Sequence, residues 1–473
     1  MKKGYIVATA VFLAAVLVVS VGALWLFFGR LPIPEPEKGN TKNEAITIYD
    51  AQGNVLITTN TGVDIYDTEY WAYLEIVLAE MTQIIQQQEQ CDTAQARNKL
   101  FTQAYQIHTA FDKTAFEALQ KVESRWGKNL NTAGAITDLN GNLLAVRCTD
   151  TKDKQVNYAL ERRSPYSSFK ALSVYTPAVE QGVANWSTMY VDSPYKQIKD
   201  DAGKLEDWPA NATGIFSQKK MTVYDALRFS TNTIAVKCLK DVGVTRSVEF
   251  LQERLGIPLT QEEYVIEKYG EEEVIGNIAL GYLEVGITPV EMAGYYQMFA
   301  NGGSYIPPKT VQTVNLKDSS VWYTRKEEPK QVISSATADT MNKLLQGVVA
   351  AGGTGAMAQC SGVDVAGKTG TGDNYADNWF VGVTPGYSLA LWHGQHDTNQ
   401  AEEMFAAVIE NLYSKLPNAN RKFVTHHNLY QIAYCVHSGK AFSSECTLID
   451  VGYFASKDTL PVCETCKKGE VVK

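Results

Sequence analysis

A serine hydroxyl becomes a useful nucleophile near neutral pH only when a base lies within hydrogen-bond reach. Ser167-Ser168-Phe169-Lys170 offers such a pair if Ser167 opens a helix, because residues three apart then share one face. An amine kept out of water there, beside another cation, gives up its own proton readily and can take the serine's. The flanks support a helix: Pro165 precedes it, Ala171, Leu172, Tyr175, Ala178 and Val179 form an apolar stripe, and Gly182 ends it. Ser167 would then sit at the positive end of the helix dipole, with its own N–H facing a developing oxyanion. Two further Ser-x-x-Lys pairs, Ser193/Lys196 and Ser217/Lys220, have no such stripe behind them and read as solvated loops.

Two more short motifs carry polar groups of the right kind. Ser230-Thr231-Asn232 follows the helical pattern of Val223, Ala226 and Leu227. From an irregular turn, Ser230 could pass a proton to a leaving amine while Asn232 holds an amide or Lys170. Lys368-Thr369-Gly370-Thr371 reads as a strand in which Lys368 attracts a carboxylate and Gly370 lets another backbone come close. Taken singly, the first is an ordinary polar turn and the second an exposed strand end. The chemistry requires all three to meet.

The elements that must bring them together are visible in outline. Ala133 to Thr137 and Asn142 to Arg147 bracket Asn140-Gly141, a strong hairpin signal. Much later, Lys368 to Thr371, Trp379 to Val383 and Tyr387 to Trp392 read as three strands joined by short turns. An early hairpin, a late meander and helical patterns between them predict an α+β fold, with one antiparallel sheet built from both ends of a domain and flanked by helices. Before it, Ala45 to Tyr49 and Val55 to Thr58 flank Gln52-Gly53-Asn54 as a small hairpin. The spacing of Tyr70, Leu74, Val77, Leu78, Met81, Ile84 and Ile85 predicts a helix, and that of Leu100, Phe101, Ala104 and Ile107 another. A third begins at the capping pair Thr114/Glu117.

Lys+Arg 43 against Asp+Glu 52 gives a net charge of −9, so no basic surplus exists to neutralise phosphates, and a nucleic-acid partner is excluded. Residues 5–28 carry no Asp, Glu, Lys or Arg. A helix of that length reaches about 36 Å, enough to cross a bilayer core. Lys2 and Lys3 before it predict a short cytoplasmic stub, with everything after Arg30 outside the cell membrane. The run continues through Leu24 to Phe28, which favours a retained single-pass anchor over a cleaved signal peptide. The chain divides into stub and anchor (1–30), a Pro-rich linker (31–44), a hairpin and helical region (45–128), a catalytic domain (129–415) and a Cys-rich tail (416–473). In the tail, Cys435, Cys446, Cys463 and Cys466 are expected to pair as disulfides outside the membrane. Zinc is the less favoured reading, since Cys463-x-x-Cys466 is one knuckle without a second. No metal or cofactor is expected: His393-x-x-His396 lacks a third ligand.

S-x-x-K, S-x-N and K-T-G in that order resemble the penicillin-binding transpeptidase family. The surrounding residues carry the resemblance further: Asp225-Ala226-Leu227 before Ser230, Thr288-Pro289-x-Glu291-Met292-Ala293, Ala300-Asn301-Gly302-Gly303, Ala366-Gly367 and Trp379-Phe380-Val381-Gly382. The fold it implies is that of penicillin-binding transpeptidases and serine β-lactamases. The resemblance implies Ser167 as acyl-accepting nucleophile, Lys170 as its base, and Ser230 and Asn232 as proton relay and substrate holder. It also implies Lys368 and Thr369 as carboxylate binders beside Gly370, and the N–H groups of Ser167 and Thr371 as the oxyanion hole. The expected substrates are peptidoglycan stem peptides ending in D-Ala-D-Ala, and β-lactams would acylate the same serine. Where the family usually has Gly before the nucleophile and Pro after the lysine, this chain has Tyr166 and Ala171. Residues 45–130 hold no glycosyltransferase motif, so a class A-like transpeptidase working with a separate glycosyltransferase is expected. The competing readings are a D,D-carboxypeptidase or β-lactamase, and a silent β-lactam sensor or scaffold.

Overall fold

The computed structural model describes residues 45–59, 65–126, 130–149, 156–199, 203–394 and 399–466. The proposed anchor at 5–28 lies outside them, and among the described residues no helix is long and apolar enough to cross a membrane.

The central sheet has five antiparallel strands in the order Ala366–Thr371, Asn378–Val383, Tyr387–His393, Thr132–Asp138, Leu143–Cys148. It joins the late meander to the early hairpin, as the sequence pattern predicts. Gly141 turns the hairpin at φ +73°, a conformation glycine adopts without cost. Asn378–Val383 is buried along its whole length, so helices must cover both of its faces. Pro289–Tyr296 packs on one face, and Ala401–Ser414 with Lys113–Trp126 on the other. Phe380 meets Phe405 edge-on across that second contact, with ring centres 4.8 Å apart. Ala366–Thr371 is the edge strand, leaving one side free to face the cleft.

A second five-stranded sheet, in the order Val321–Thr324, Val311–Asn315, Gln106–Thr109, Thr47–Tyr49, Val55–Thr58, was not anticipated. The expected first hairpin supplies its far edge, and Thr47–Tyr49 runs parallel to Gln106–Thr109. Ile107 therefore lies in a strand, not in the helix its spacing suggests. The helix Thr93–Thr102 stops because Gln103 turns extended, and Gln106–Thr109 then alternates half-buried and buried. The long helix Trp71–Glu89 packs beneath, and Tyr73 donates a hydrogen bond to the Leu143 carbonyl, tying it to the central sheet.

The disulfide expectation is corrected. All eight cysteines are free thiols. In the tail, Cys435 and Cys466 stand 3.5 Å apart at sulfur, against about 2.05 Å for a bond. The strands Tyr430–Cys435 and Ile449–Phe454 pair there as a hairpin on the surface of the domain built round the central sheet.

Candidate active site

Ser167 lies in the first turn of a helix spanning 166–180 that changes character along its length. Tyr166–Phe169 is a tight 3₁₀ turn, Ala171–Tyr175 a wide π turn, and Thr176–Glu180 regular α-helix. The Thr176 hydroxyl donates to the Ala171 carbonyl at 2.6 Å and holds the wide turn open. Such turns recur at functional sites because they shift side chains off the regular helical rows. Lys170 sits at the junction. Ser168 is fully buried, donates its hydroxyl back to the Pro165 carbonyl and accepts from Tyr296, so Ser167, half exposed, is the serine that faces the cleft.

Three elements converge on one hydroxyl. Lys170 Nζ donates to the Ser230 carbonyl at 2.8 Å and to Asn232 Oδ1 at 2.5 Å, and lies 3.4 Å from Ser230 Oγ. From the opposite side, Lys368 Nζ donates to Ser230 Oγ at 2.9 Å and to the Thr369 carbonyl and hydroxyl at 3.2 Å. Both lysines are fully buried. Burial, and then the charge of Lys368, hold the Lys170 ammonium well below the usual lysine range. Burial brings Lys368 down to about 7, with the Glu402 carboxylate pulling weakly upward. Two ammonium groups sharing one hydroxyl out of water disfavour double protonation, so one amine is available as a base.

Backbone strain sets this geometry. Ser230 has φ +58° and Tyr166 φ +48°, left-handed conformations that cost a non-glycine residue roughly 1–2 kcal/mol. At Ser230 the conformation turns carbonyl and hydroxyl together toward Lys170. Asn232 is fixed in turn: its Nδ2 donates to the Ala210 carbonyl at 2.7 Å and its N–H to Asn211 Oδ1 at 3.0 Å. Asn211 and Thr233 both donate to Asp192 at 2.8 Å. The KTG strand lies against the serine helix because Gly370 has no side chain. A Cβ there would stand 2.5 Å from the Pro165 carbonyl and 3.2 Å from Ser168 Cβ. Asn399 braces the strand end, donating to the Gly370 carbonyl at 3.2 Å and to Thr371 Oγ1 at 3.1 Å, and Thr354 meets Thr369 at 3.2 Å.

A family profile for the penicillin binding protein transpeptidase domain matches residues 131–410. The chain belongs to the penicillin-binding protein transpeptidase family. Penicillin-binding protein 1A of Clostridium botulinum is 31% identical over 255 residues, covering 53% of this chain and 29% of that protein. Penicillin-binding protein 1F of Bacillus subtilis is 30% identical over 304 residues, covering 62% and 39%. The chain thus spans well under half the length of these relatives. Among solved structures, the D,D-transpeptidase domain of an Eggerthella lenta peptidoglycan glycosyltransferase shares the fold at TM-score 0.62 and 18% identity, covering 80% of this chain and 99% of that one. The PonA1 protein of Mycobacterium tuberculosis in complex with penicillin V does so at TM-score 0.61 and 20% identity, covering 76% and 96%.

Against the family pattern, Tyr166 is the conspicuous replacement. Its N–H donates to the Gly281 carbonyl at 3.1 Å, and its ring packs edge-on to Tyr282 at 5.4 Å and over Gly372. It therefore stands as a wall at the mouth of the cleft. Asn399, Thr354, Asn211, Asp192 and Glu402 were not singled out from sequence. They are single polar residues on separate loops and helix starts, with no spacing to mark them. The other Ser-x-x-Lys pairs stay outside: Lys196 and Lys220 begin surface strands, and Lys196 pairs with Glu271 and Glu272. The His393 ring is held by backbone on both sides, with Nδ1 at 2.8 Å from the Gly394 carbonyl and Nε2 accepting from Gln400 N–H.

Proposed function

We propose that the chain is a membrane-anchored, serine-type D,D-transpeptidase that cross-links peptidoglycan stem peptides outside the cell. The observation that carries this reading is the meeting of Lys170 and Lys368 at the Ser230 hydroxyl, with Ser167 one turn before Lys170 on the same helix. In this mechanism the neutral Lys170 amine takes the Ser167 proton as its oxygen bonds to the D-Ala-D-Ala carbonyl carbon. The N–H groups of Ser167 and Thr371 stabilise the oxyanion. Lys368, Thr369 and the open edge at Gly370 receive the terminal carboxylate and extended backbone, as a sheet edge receives an added strand. Ser230 protonates the departing D-Ala amine and is resupplied from its two lysine neighbours, while Asn232 holds Lys170 and the substrate amide. A stem amine on a glycan strand from a glycosyltransferase partner then attacks the ester and releases Ser167. A β-lactam follows the same first step, but its leaving amine stays tethered and the ester persists.

The test is labelling with fluorescent penicillin, followed by mass spectrometry of the adduct. Attachment at Ser167, lost in Ser167→Ala, is expected. Incubation with a D-Ala-D-Ala pentapeptide and an acceptor amine should then yield the cross-linked amide. Release of D-Ala to water alone would make the protein a carboxypeptidase, and rapid nitrocefin turnover a β-lactamase. Labelling at Ser167 without turnover of either substrate would leave a silent β-lactam sensor, and failure of both labelling and turnover a scaffold.

A further inference from the structure

The C-terminal hairpin has an interior made of sulfur. Cys435, Cys463 and Cys466 are buried, Cys446 packs against them, and these four form a cluster separate from the main hydrophobic core. Their Sγ atoms all lie within 4.8 Å of one another. Tetrahedral zinc with Zn–S bonds of about 2.3 Å places its sulfurs about 3.8 Å apart. To reach that geometry the widest pairs close by up to about 1 Å and the 3.5 Å Cys435–Cys466 pair opens slightly, whereas a disulfide would need that pair to close by about 1.5 Å.

The local backbone suits a metal as well. Cys435 opens a tight reverse turn in which the N–H groups of Ser438 and Gly439 both return to its carbonyl, and Gly439 has φ +70°. Cys463-x-x-Cys466 forms the facing turn. The second knuckle that sequence spacing lacks is completed by strand pairing. Cys435 stands opposite Ile449 across the hairpin, and this returns Cys446 to it. The sulfurs also have polar support: Ser438 Oγ donates to Cys463 Sγ at 3.2 Å, and Ser443 N–H to Cys446 Sγ at 3.5 Å. Donors to ligand sulfur are what a thiolate site needs around it.

We propose that these four cysteines bind one structural Zn²⁺, which staples the turns of the C-terminal hairpin to one another and so holds the face that docks on the transpeptidase domain. The four thiols lose four protons as four Zn–S bonds form, with no change of oxidation state. A module this small, with no aliphatic core of its own, is the kind that requires a staple. Its docking surface leads toward the active site. Ser187 donates to the Gly439 carbonyl at 2.6 Å, and Trp186 packs against Gly452 and edge-on to Tyr453. The other face of Trp186 stacks on Tyr224 at 4.3 Å, in the helix Val223–Arg228 that precedes Ser230.

The test uses the full chain in detergent, purified without chelator. Elemental analysis should find about one zinc per chain, and a mercurial should release it. The double variant Cys463→Ser/Cys466→Ser should lose the zinc and melt at lower temperature, while Cys91→Ser should keep both. Penicillin labelling at Ser167, measured in parallel, reports the catalytic site independently of zinc. Because the double variant could misfold, the wild-type chain is also loaded with Co²⁺. Thiolate-to-cobalt charge-transfer and tetrahedral ligand-field absorption are expected. An intact mass four hydrogens below the all-thiol value, iron in place of zinc, or a folded chain with neither zinc nor the cobalt spectrum would each overturn the proposal.

Discussion

Two features of the site, its lysine pair and Tyr166, hold a charge or a conformation that folding alone would not choose. Lys368, brought down to about 7 by burial, must be charged to attract a carboxylate, and Lys170, held low as well, must be neutral to act as base. Acylation should therefore rise with pH as Lys170 loses its proton and fall as Lys368 loses its own. For free enzyme, the rate constant for penicillin acylation is expected to be bell-shaped, with its descending limb near 7. Lys368→Arg, whose guanidinium stays charged, should flatten that limb while lowering the maximum. A descending limb unchanged in the arginine variant would show that another group governs it. Tyr166 is a second case, with its left-handed φ and its ring across the cleft mouth. Tyr166→Gly removes both the wall and the strain, against a comparable entropic cost for glycine of about 0.5–1 kcal/mol, so stability should barely change. Penicillin acylation should rise about tenfold, roughly 1.4 kcal/mol of barrier. Tyr166→Ala opens the cleft equally but keeps the strain, and should show the same acceleration with a lower melting temperature. An unchanged rate in both variants would remove Tyr166 from the cleft.

The elements carry a different constraint: the KTG strand must lie flush with the serine helix. Gly370→Ala places a methyl group against the Pro165 carbonyl and Ser168, which the Ser168 hydroxyl ties together by donating to that carbonyl. The strand must retreat, and acylation should drop about a hundredfold, near 2.7 kcal/mol, while the melting temperature moves by a few degrees. Full activity in that variant would mean that the strand does not form the cleft wall. These elements were legible in the sequence because their signals are local. Asn140-Gly141 marks one hairpin, the apolar stripe after Lys170 marks the helix, and short apolar runs between turns mark the meander. Other features depend on tertiary contact. The π turn at Ala171–Tyr175 rests on a Thr176 hydroxyl bond that no periodicity shows. Ile107 fits a helical spacing by coincidence and enters a strand because Thr47–Tyr49 and Val311–Asn315 pair with it from either side. Asn399 and Asn211 act through loops whose neighbours lie far away in the chain.

At the scale of the molecule, the second sheet and its helix are joined to the central sheet's domain by several polar contacts, and a buried one stands where the chain enters Val311–Asn315. Glu80, on the long helix Trp71–Glu89, accepts from both the N–H and the hydroxyl of Thr310, each at 2.7 Å, at the entrance to Val311–Asn315. Next to it, the Thr310 carbonyl accepts from the Ala110 N–H, so one residue closes helix, strand and crossover together. Glu80→Leu keeps the bulk and strands two buried donors, an expected loss of about 2–4 kcal/mol. Glu80→Gln retains one acceptor oxygen and should lose about half as much. If the two sheets unfold as a unit, thermal denaturation of Glu80→Leu shifts down as one transition, and penicillin labelling disappears at the same temperature. The hydrogen-bonded cluster at Ser230 lies between two helices against the edge strand of the other sheet, so labelling below that transition should proceed at the wild-type rate. A variant that melted in two steps, with labelling lost only in the second, would show instead that the N-terminal sheet is a separable pedestal and that Glu80 stabilises only their junction.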